Sequence, residues 1–252
     1  MKHTISLGVM LAALGLLTGC QTDTTTYDPA PTPPPPLVGS APASNPTPAG
    51  PATGLAARII EASQANAAQL KRYSWSSRVE LLQNGVVQDI RIELVALDPY
   101  QQWQRTLLND QAAPLPDGFI RRRIAENQRA QVETYLVGLR SLLDQYTMLT
   151  PGQVVSFVGQ SRISAPDSNG LLKLTGSDIV VPADTYSVWL LPASRQTRRI
   201  QVTTFYQLSQ VQITATFATL PSGLTHVQYA EVDVPAQGLR LQMHNFDYNL
   251  NN

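Results

Sequence analysis

The part of the chain after residue 152 is divided by turn residues into segments of strand length, and this division limits the fold more than any other feature. Proline, glycine, asparagine and aspartate recur at nearly regular intervals, as they do between antiparallel strands. The candidate strands are residues 153–162, 170–180, 185–191, 198–207, 210–219, 224–234 and 238–248. Over residues 211–217, apolar side chains alternate with Gln and Thr, which predicts one apolar and one polar face. We therefore expect a meandering sheet or barrel.

The chain before these strands predicts a helix followed by a β-hairpin. Apolar residues recur at helical spacing from Leu55 to Leu70. The pattern then changes to alternation over 75–82, and a returning strand follows the Asn84-Gly85 pair. This pair is a strong hairpin signal because both positions tolerate positive φ. A third strand is expected to carry Trp103.

A long amphipathic helix is predicted from about Phe119 to Met148, where apolar residues are spaced three and four apart. Thr150-Pro151-Gly152 is expected to end it. The predicted order is thus helix, three strands, long helix and about seven strands. This order predicts an α+β fold, an antiparallel half-barrel of about ten strands covered by two helices. We expect its concave face to be apolar.

The first twenty residues have the charged, apolar and small segments of a secretory signal. The segment Leu17-Thr18-Gly19-Cys20 resembles the lipobox of bacterial lipoproteins. The resemblance implies a signal peptide over residues 1–19 and a lipidated Cys20, carrying acyl chains such as palmitate, as the mature first residue. The alternative is cleavage elsewhere with Cys20 incidental. Because Gln21 follows, not aspartate, we expect the outer membrane, periplasmic face.

Residues 20–54 predict a disordered tether between the lipid and a domain at 55–252. Ten of the chain's nineteen prolines lie there, mixed with small and polar residues. Such a segment has too little apolar bulk for a core and favours a semi-rigid spacer. A proline-rich recognition site is the alternative. The remaining 200 or so residues are enough for one domain.

Most catalytic and cofactor chemistry is missing from the sequence. Basic and acidic residues balance at 18 each, so nucleic acid is not an expected partner. No phosphate-binding glycine loop or nucleophile elbow occurs, and no cluster has metal-ligand spacing. His244 with Asp247, and Glu231 with Asp233, are interpreted as solvated strand residues. We therefore predict no catalytic residue, no metal and no cofactor.

The segments Arg199–Tyr206 and Val211–Phe217, together with the element order, domain size and export, resemble the LolA/LolB-like superfamily. This group includes a periplasmic lipoprotein carrier, its outer-membrane receptor and the sensor domain of RseB-type regulators. The resemblance covers about residues 55–252. It implies a half-barrel with helices as a lid over an apolar cavity. It also implies non-catalytic binding of an acyl chain or of the lipid part of another lipoprotein.

Candidate ligand-binding residues are the large apolar side chains expected near such a cavity, and ordinary core packing is the alternative for each. They are Trp103, Leu136, Leu139, Trp189, Phe205 and Phe217. The receptor branch of the superfamily meets the membrane through an apolar loop residue, a part that Leu115 is predicted to play unless it is buried. Arg121–Arg123 are interpreted either as contacts to lipid phosphates or as a solvated helix end.

Two other functions stay open. The chain is alternatively a structural or assembly lipoprotein whose sheet face or edge docks another cell-envelope protein. An envelope hydrolase using His244 or Asp247 is the third hypothesis.

Overall fold

The computed structural model describes residues 51–114, 117–147 and 149–251. Within these ranges the chain forms three α-helices and ten strands. Their bounds are α1 Pro51–Leu70, β1 Tyr73–Gln83, β2 Val86–Leu97, β3 Trp103–Ala112, α2 Phe119–Thr147, α3 Pro151–Gln160, β4 Arg162–Ile163, β5 Leu172–Ser177, β6 Thr185–Leu190, β7 Thr197–Tyr206, β8 Ser209–Thr219, β9 Thr225–Val234 and β10 Leu239–Leu250. A 3-10 turn at Pro235–Gln237 joins β9 to β10.

All ten strands join one antiparallel sheet in the order β3-β2-β1-β10-β9-β8-β7-β6-β5-β4. Consecutive strands pair with each other, and β1 pairs with β10, where Val79 lies opposite Met243. The sheet is therefore open, with β3 and β4 at its edges. The predicted α+β fold with a ten-stranded antiparallel half-barrel is confirmed, and the sheet does not close into a full barrel.

The hairpin between β1 and β2 turns at Asn84 and Gly85, as predicted. Their φ angles are 50° and 78°, the left-handed conformation that both residues of a type I′ turn require. The backbone N–H of Asn84 donates to the carbonyl of Gly238 at 2.7 Å, which joins this turn to the β9–β10 connection. The two turns therefore lie side by side at the same end of the sheet.

The prediction of a strand over residues 153–162 is wrong, because this segment forms α3. Thr150 and Gln153 build a capping box: the N–H of Gln153 donates to Thr150 Oγ1, and the N–H of Thr150 donates to Gln153 Oε1. Pro151 then occupies the first helical turn, where its missing N–H is no loss. The Thr-Pro-Gly segment therefore begins a helix in addition to following one.

The helices cover one side of the sheet, which we call its inner face. The larger core joins all three helices to the inner face, and among its strand residues are Val79, Leu174, Val188, Val202, Ile213, Val232 and Leu241. A smaller core contains Leu70, Tyr73, Trp75, Val95 and Leu224, with Trp103, Leu220 and Tyr248 packed against it. Every described helix and strand lies within residues 51–251 and contributes to this one sheet or its cover. The described part of the chain thus builds one sheet with its helical cover, and both cores form from side chains within it.

None of the helices in the described ranges is both long and apolar enough to cross a membrane. The predicted lipidation site Cys20 and the signal peptide lie outside the described residues.

Candidate functional site

The second half of α2 lies over the inner face of the sheet and supplies much of the larger core. Its buried residues recur at spacings of three and four, as the sequence pattern predicts: Leu136, Leu139, Leu142, Leu143 and Tyr146. Leu139 and Leu143 are completely buried. An apolar ligand that enters between helix and sheet must therefore replace the contacts of these side chains.

Two contacts fix the position of α2 on the sheet. The hydroxyl of Tyr146 donates to Asp184 Oδ2 at 2.7 Å and lies 2.8 Å from Thr204 Oγ1. Burial raises the pKa of Tyr146, so the phenol keeps its proton for this hydrogen bond. Gly138 faces the hydroxyl of Tyr206, which lies where a Cβ would be. Glycine at position 138 therefore lets α2 approach the β7–β8 hairpin closely.

A polar row, formed by Asn245, Ser77, Glu93 and Arg105, crosses the inner face. Ser77 on β1 lies opposite Asn245 on β10 and opposite Glu93 on β2. Glu93 forms an ion pair with Arg105 of β3, at 2.8 Å between Oε2 and Nη1. The two side chains are only 2% and 8% exposed. Burial lowers the pKa of Arg105, and the ion pair with Glu93 opposes that effect.

The polar row separates the two cores. Along β1, Trp75 belongs to the smaller core and Val79 to the larger, with the fully buried Ser77 between them. The side-chain oxygens Ser77 Oγ and Asn245 Oδ1 are buried without a hydrogen-bond partner among the described atoms. Buried polar atoms of this kind normally bind water or a ligand. The inner face is therefore apolar on both sides of a polar strip.

The sequence did not predict the polar row. Asp89, Arg91 and Glu93 alternate along β2 on the same face as the buried Val95, because they lie opposite the inward residues of β1. A signal was present: alternate charged residues on β2 in register with alternate apolar residues of β1. It could be used only once the register of the β1–β2 hairpin was known.

The structure divides the predicted ligand-binding residues among three places. Leu136, Leu139 and Phe217 meet in the larger core. Trp103 packs instead against the smaller core, where its ring is 5.0 Å from that of Trp75. Their role in ligand binding stays a prediction.

The other two aromatics lie on the outer face. The ring centroid of Trp189 lies 4.7 Å from Lys173 Nζ and 5.0 Å from Arg199 Cζ. Trp189 and the buried Val188 are consecutive on β6, so their side chains point to different faces of the sheet. Phe205 is 49% exposed and follows the buried Thr204. Leu115, the predicted membrane-contacting residue, lies outside the described residues.

The two described histidines, His226 and His244, each lie beside a tyrosine ring. His226 is buried beside Tyr248, with ring centroids 4.0 Å apart, and burial lowers its pKa. His244 is exposed on β10 and lies 5.7 Å from the ring of Tyr229. In the described part of the chain, no group of three or more His, Cys, Asp and Glu side chains is placed to hold a metal ion.

No family model matches the chain, and no curated protein sequence matches it significantly. Two solved structures resemble it. A DUF1329 family protein from Desulfovibrio piger is 9% identical with a TM-score of 0.36, covering 79% of this chain and 93% of its own. A LolA superfamily protein from Nitrosomonas europaea is 12% identical with a TM-score of 0.34, covering 78% and 94%. Likenesses at this level carry no argument about function, so the LolA/LolB-like family stays a prediction.

Proposed function

We propose that this chain is a membrane-tethered, non-catalytic binding protein that takes an acyl chain, free or as the lipid part of another lipoprotein, between α2 and the inner face of the sheet. The observation that carries the proposal is the seating of α2. An open sheet presents an apolar inner face, and a single helix covers much of it with leucines. If such a helix moves aside, an apolar ligand can take over the contacts that its leucines make with the sheet.

The sizes of the opposing energies limit the ligand. Lifting α2 exposes four leucines, each worth about 1.5–3 kcal/mol of burial, or roughly 6–12 kcal/mol together. Each buried methylene of a ligand returns about 0.8 kcal/mol. About eight to fifteen methylenes are therefore needed, which is the range of medium to long acyl chains. Short apolar molecules do not offset the displacement of the helix.

The cellular location of the protein is also part of the proposal, and its support comes from the sequence. A lipid on Cys20 would anchor the chain to the outer membrane, and the proline-rich segment would let the domain reach into the periplasm. Two or more acyl chains on one cysteine hold a protein far more firmly than one, because each buried CH₂ adds about 0.8 kcal/mol.

The test is native mass spectrometry of residues 21–252, exported to the periplasm of a bacterial host, followed by lipid extraction. We expect a bound fatty acid, phospholipid or lipoprotein acyl group. Leu139→Ala should raise the bound fraction, because it weakens the seat of α2 by about 2–5 kcal/mol. Val137→Ala is the matched control, since Val137 lies on the same helix but is 50% exposed.

A protein that stays free of lipid, even when Leu139→Ala is incubated with long-chain fatty acid, would contradict the proposal. In that case the leucines of α2 are simply the core of the domain. Leu139→Ala would then lower the melting temperature without adding mass.

A second function is favoured by strand β3. This edge strand pairs with β2 alone, and nearly all of its side chains are exposed, including Leu107 at 51% and Leu108 at 57%. An exposed strand edge is a ready site for a strand of another protein. Photo-crosslinking from position 107 in cells should then trap a cell-envelope protein. The same probe at Val155, on α3, is the control, and equal crosslinking from both would count against docking at β3.

A further inference from the structure

The first half of α2 differs from the half that is seated on the sheet. Apart from the half-buried Ala125, every side chain described between Phe119 and Gln131 is exposed. We call this segment, residues 119–131, the arm. Its base is tied to the sheet: Arg129 donates a hydrogen bond to the carbonyl of Ala113, and the N–H of Ala113 donates to the carbonyl of Gln88. The carboxyl-terminal end of the arm thus lies beside the start of β2, and the tip, at Phe119, is the other end of the same helix segment.

The tip of the arm is apolar. Phe119 is 79% exposed and Ile120 is 73% exposed, and they are adjacent at the beginning of the helix. Isolated apolar side chains at a surface are common. Two large ones side by side, on a helix half that is otherwise exposed, need an explanation from outside the domain.

Positive charge surrounds this tip. Arg121, Arg122 and Arg123 are all exposed and follow Ile120 directly. Successive helical residues are rotated by about 100°, so three in a row spread their guanidinium groups around the helix just behind the tip. With Arg129, and against Asp117 and Glu126, the charge of residues 117–131 is +4 − 2 = +2, in a chain with a net charge of zero. Glu126 already pairs with Arg122 at 3.1 Å.

We propose that the arm docks on an anionic lipid bilayer, with Phe119 and Ile120 entering the boundary between headgroups and acyl chains and the arginines contacting lipid phosphates. Two apolar side chains are far too few for a stable protein interface, which buries about 800 Å² per partner. They suffice for shallow insertion when cations add attraction to an anionic surface.

This inference is independent of a ligand under α2 and of a lipid on Cys20. It makes the folded domain itself a membrane-binding unit. Tether and arm together would hold the domain against the bilayer in one orientation, instead of letting it move at the length of the tether.

The test is co-sedimentation of residues 21–252, which lack the lipid site, with vesicles. We expect binding to phosphatidylcholine mixed with phosphatidylglycerol and little binding to phosphatidylcholine alone. Arg121→Gln/Arg122→Gln/Arg123→Gln should weaken binding on the order of a hundredfold, about fivefold for each arginine. Phe119→Ser/Ile120→Ser should weaken it by about tenfold or more.

Matched controls separate the arm from general charge and hydrophobicity. Arg58→Gln/Lys71→Gln/Arg72→Gln removes the same charge from exposed positions elsewhere, and Val155→Ser removes an apolar side chain that is 44% exposed on α3. Both should bind like the parent. All variants change exposed residues, so each should keep the parent's melting temperature.

Two results would overturn the proposal. Equal loss of binding in the arginine variant and its charge control would mean that attraction is not localised to the arm. Loss in the arginine variant with full binding in Phe119→Ser/Ile120→Ser would mean that the tip does not insert. Lipid found by mass spectrometry, or its absence, bears only on the ligand proposal.

Discussion

The β7–β8 and β2–β3 hairpins have strands of similar length, but their inward-facing side chains differ in polarity and burial. On β7 and β8, most inward residues are apolar and buried, as at Val202 and Ile213, which lie opposite each other. On β2 and β3, the buried inward side chains include the ion pair of Glu93 with Arg105, and most of β3 is exposed. The two hairpins share a backbone pattern but not an environment.

This contrast teaches that position in the sheet decides what a strand can bury. The β7–β8 hairpin lies among other strands and under helices, so most of its inner face is buried and most of its inward side chains are apolar. The β2–β3 hairpin ends at the open edge of the sheet. Charged residues are tolerated there because they can pair across the strands, as Arg91 of β2 does with Asp110 of β3 at 3.8 Å.

The largest expected effect is at the ion pair in the β2–β3 hairpin. Glu93→Gln should lower the free energy of unfolding by about 3–5 kcal/mol, because it leaves the buried Arg105 without its anionic partner. Urea unfolding followed by circular dichroism measures this. The double variant Glu93→Leu/Arg105→Leu is the control and should lie close to the parent. A single variant that costs less than about 1 kcal/mol would show that water screens the pair.

In the β7–β8 hairpin, the matching change is Ile213→Ala. It should lower the free energy of unfolding by about 2–5 kcal/mol, because Ile213 is 3% exposed and its removal leaves a cavity in the larger core. The same urea titration applies. A loss below about 1 kcal/mol would mean that neighbouring side chains fill the cavity. The contrast between the buried β7–β8 hairpin and the exposed β2–β3 hairpin would then weaken.

The smaller core, to which β2 and β3 contribute Val95 and Trp103, should respond to pH through His226. Burial lowers the folded-state pKa of His226 below its ordinary value of 6.5, so the unfolded chain binds the proton more readily. Its contribution to stability is therefore fully present above pH 6.5 and is lost as pH falls through the folded-state pKa. Urea unfolding at a series of pH values measures this slope, and His226→Phe should reduce it. An unchanged slope would assign it to other groups.

The smallest effect is expected on β3. Leu107→Ala should change the free energy of unfolding by no more than about 0.5 kcal/mol, because the side chain is 51% exposed. Thermal melting compared with Ile213→Ala makes the two hairpins directly comparable. A loss as large as that of Ile213→Ala would show that β3 is covered in solution, for example by a second copy or a partner.

The sequence predicts the late strands well for a physical reason. From Thr197 to Leu250, each strand has an apolar side that needs burial and turn residues at its ends, so pattern and environment agree. The strand prediction for residues 153–162 was wrong because two local signals disagree. Valines favour a strand, whereas the capping box of Thr150 and Gln153 favours a helix, and the segment forms the helix α3.

The site was less predictable than the fold. The sequence shows that Trp189 and Phe205 are large and apolar, but it does not assign them to a face of the sheet. A shift of one residue in strand register moves every side chain of a strand to the other face. The polar row depends on the same register, with an irregularity between Ile92 and Glu93 that aligns β3 with β2. Leu136 and Leu139 were predictable because helical spacing alone places them on one side of α2.

The pairing of β1 with β10 also has a consequence for the order in which the protein is built. During synthesis the amino-terminal strands emerge first, yet β1 obtains its second neighbour only when the last strand has arrived. Contacts between such distant segments form slowly, since the intervening chain must first be closed into a loop. We therefore expect β5–β10 to pair first, while the β1–β3 sheet waits with both of its edges open. During that interval, the unpaired strand edges are most accessible to a chaperone.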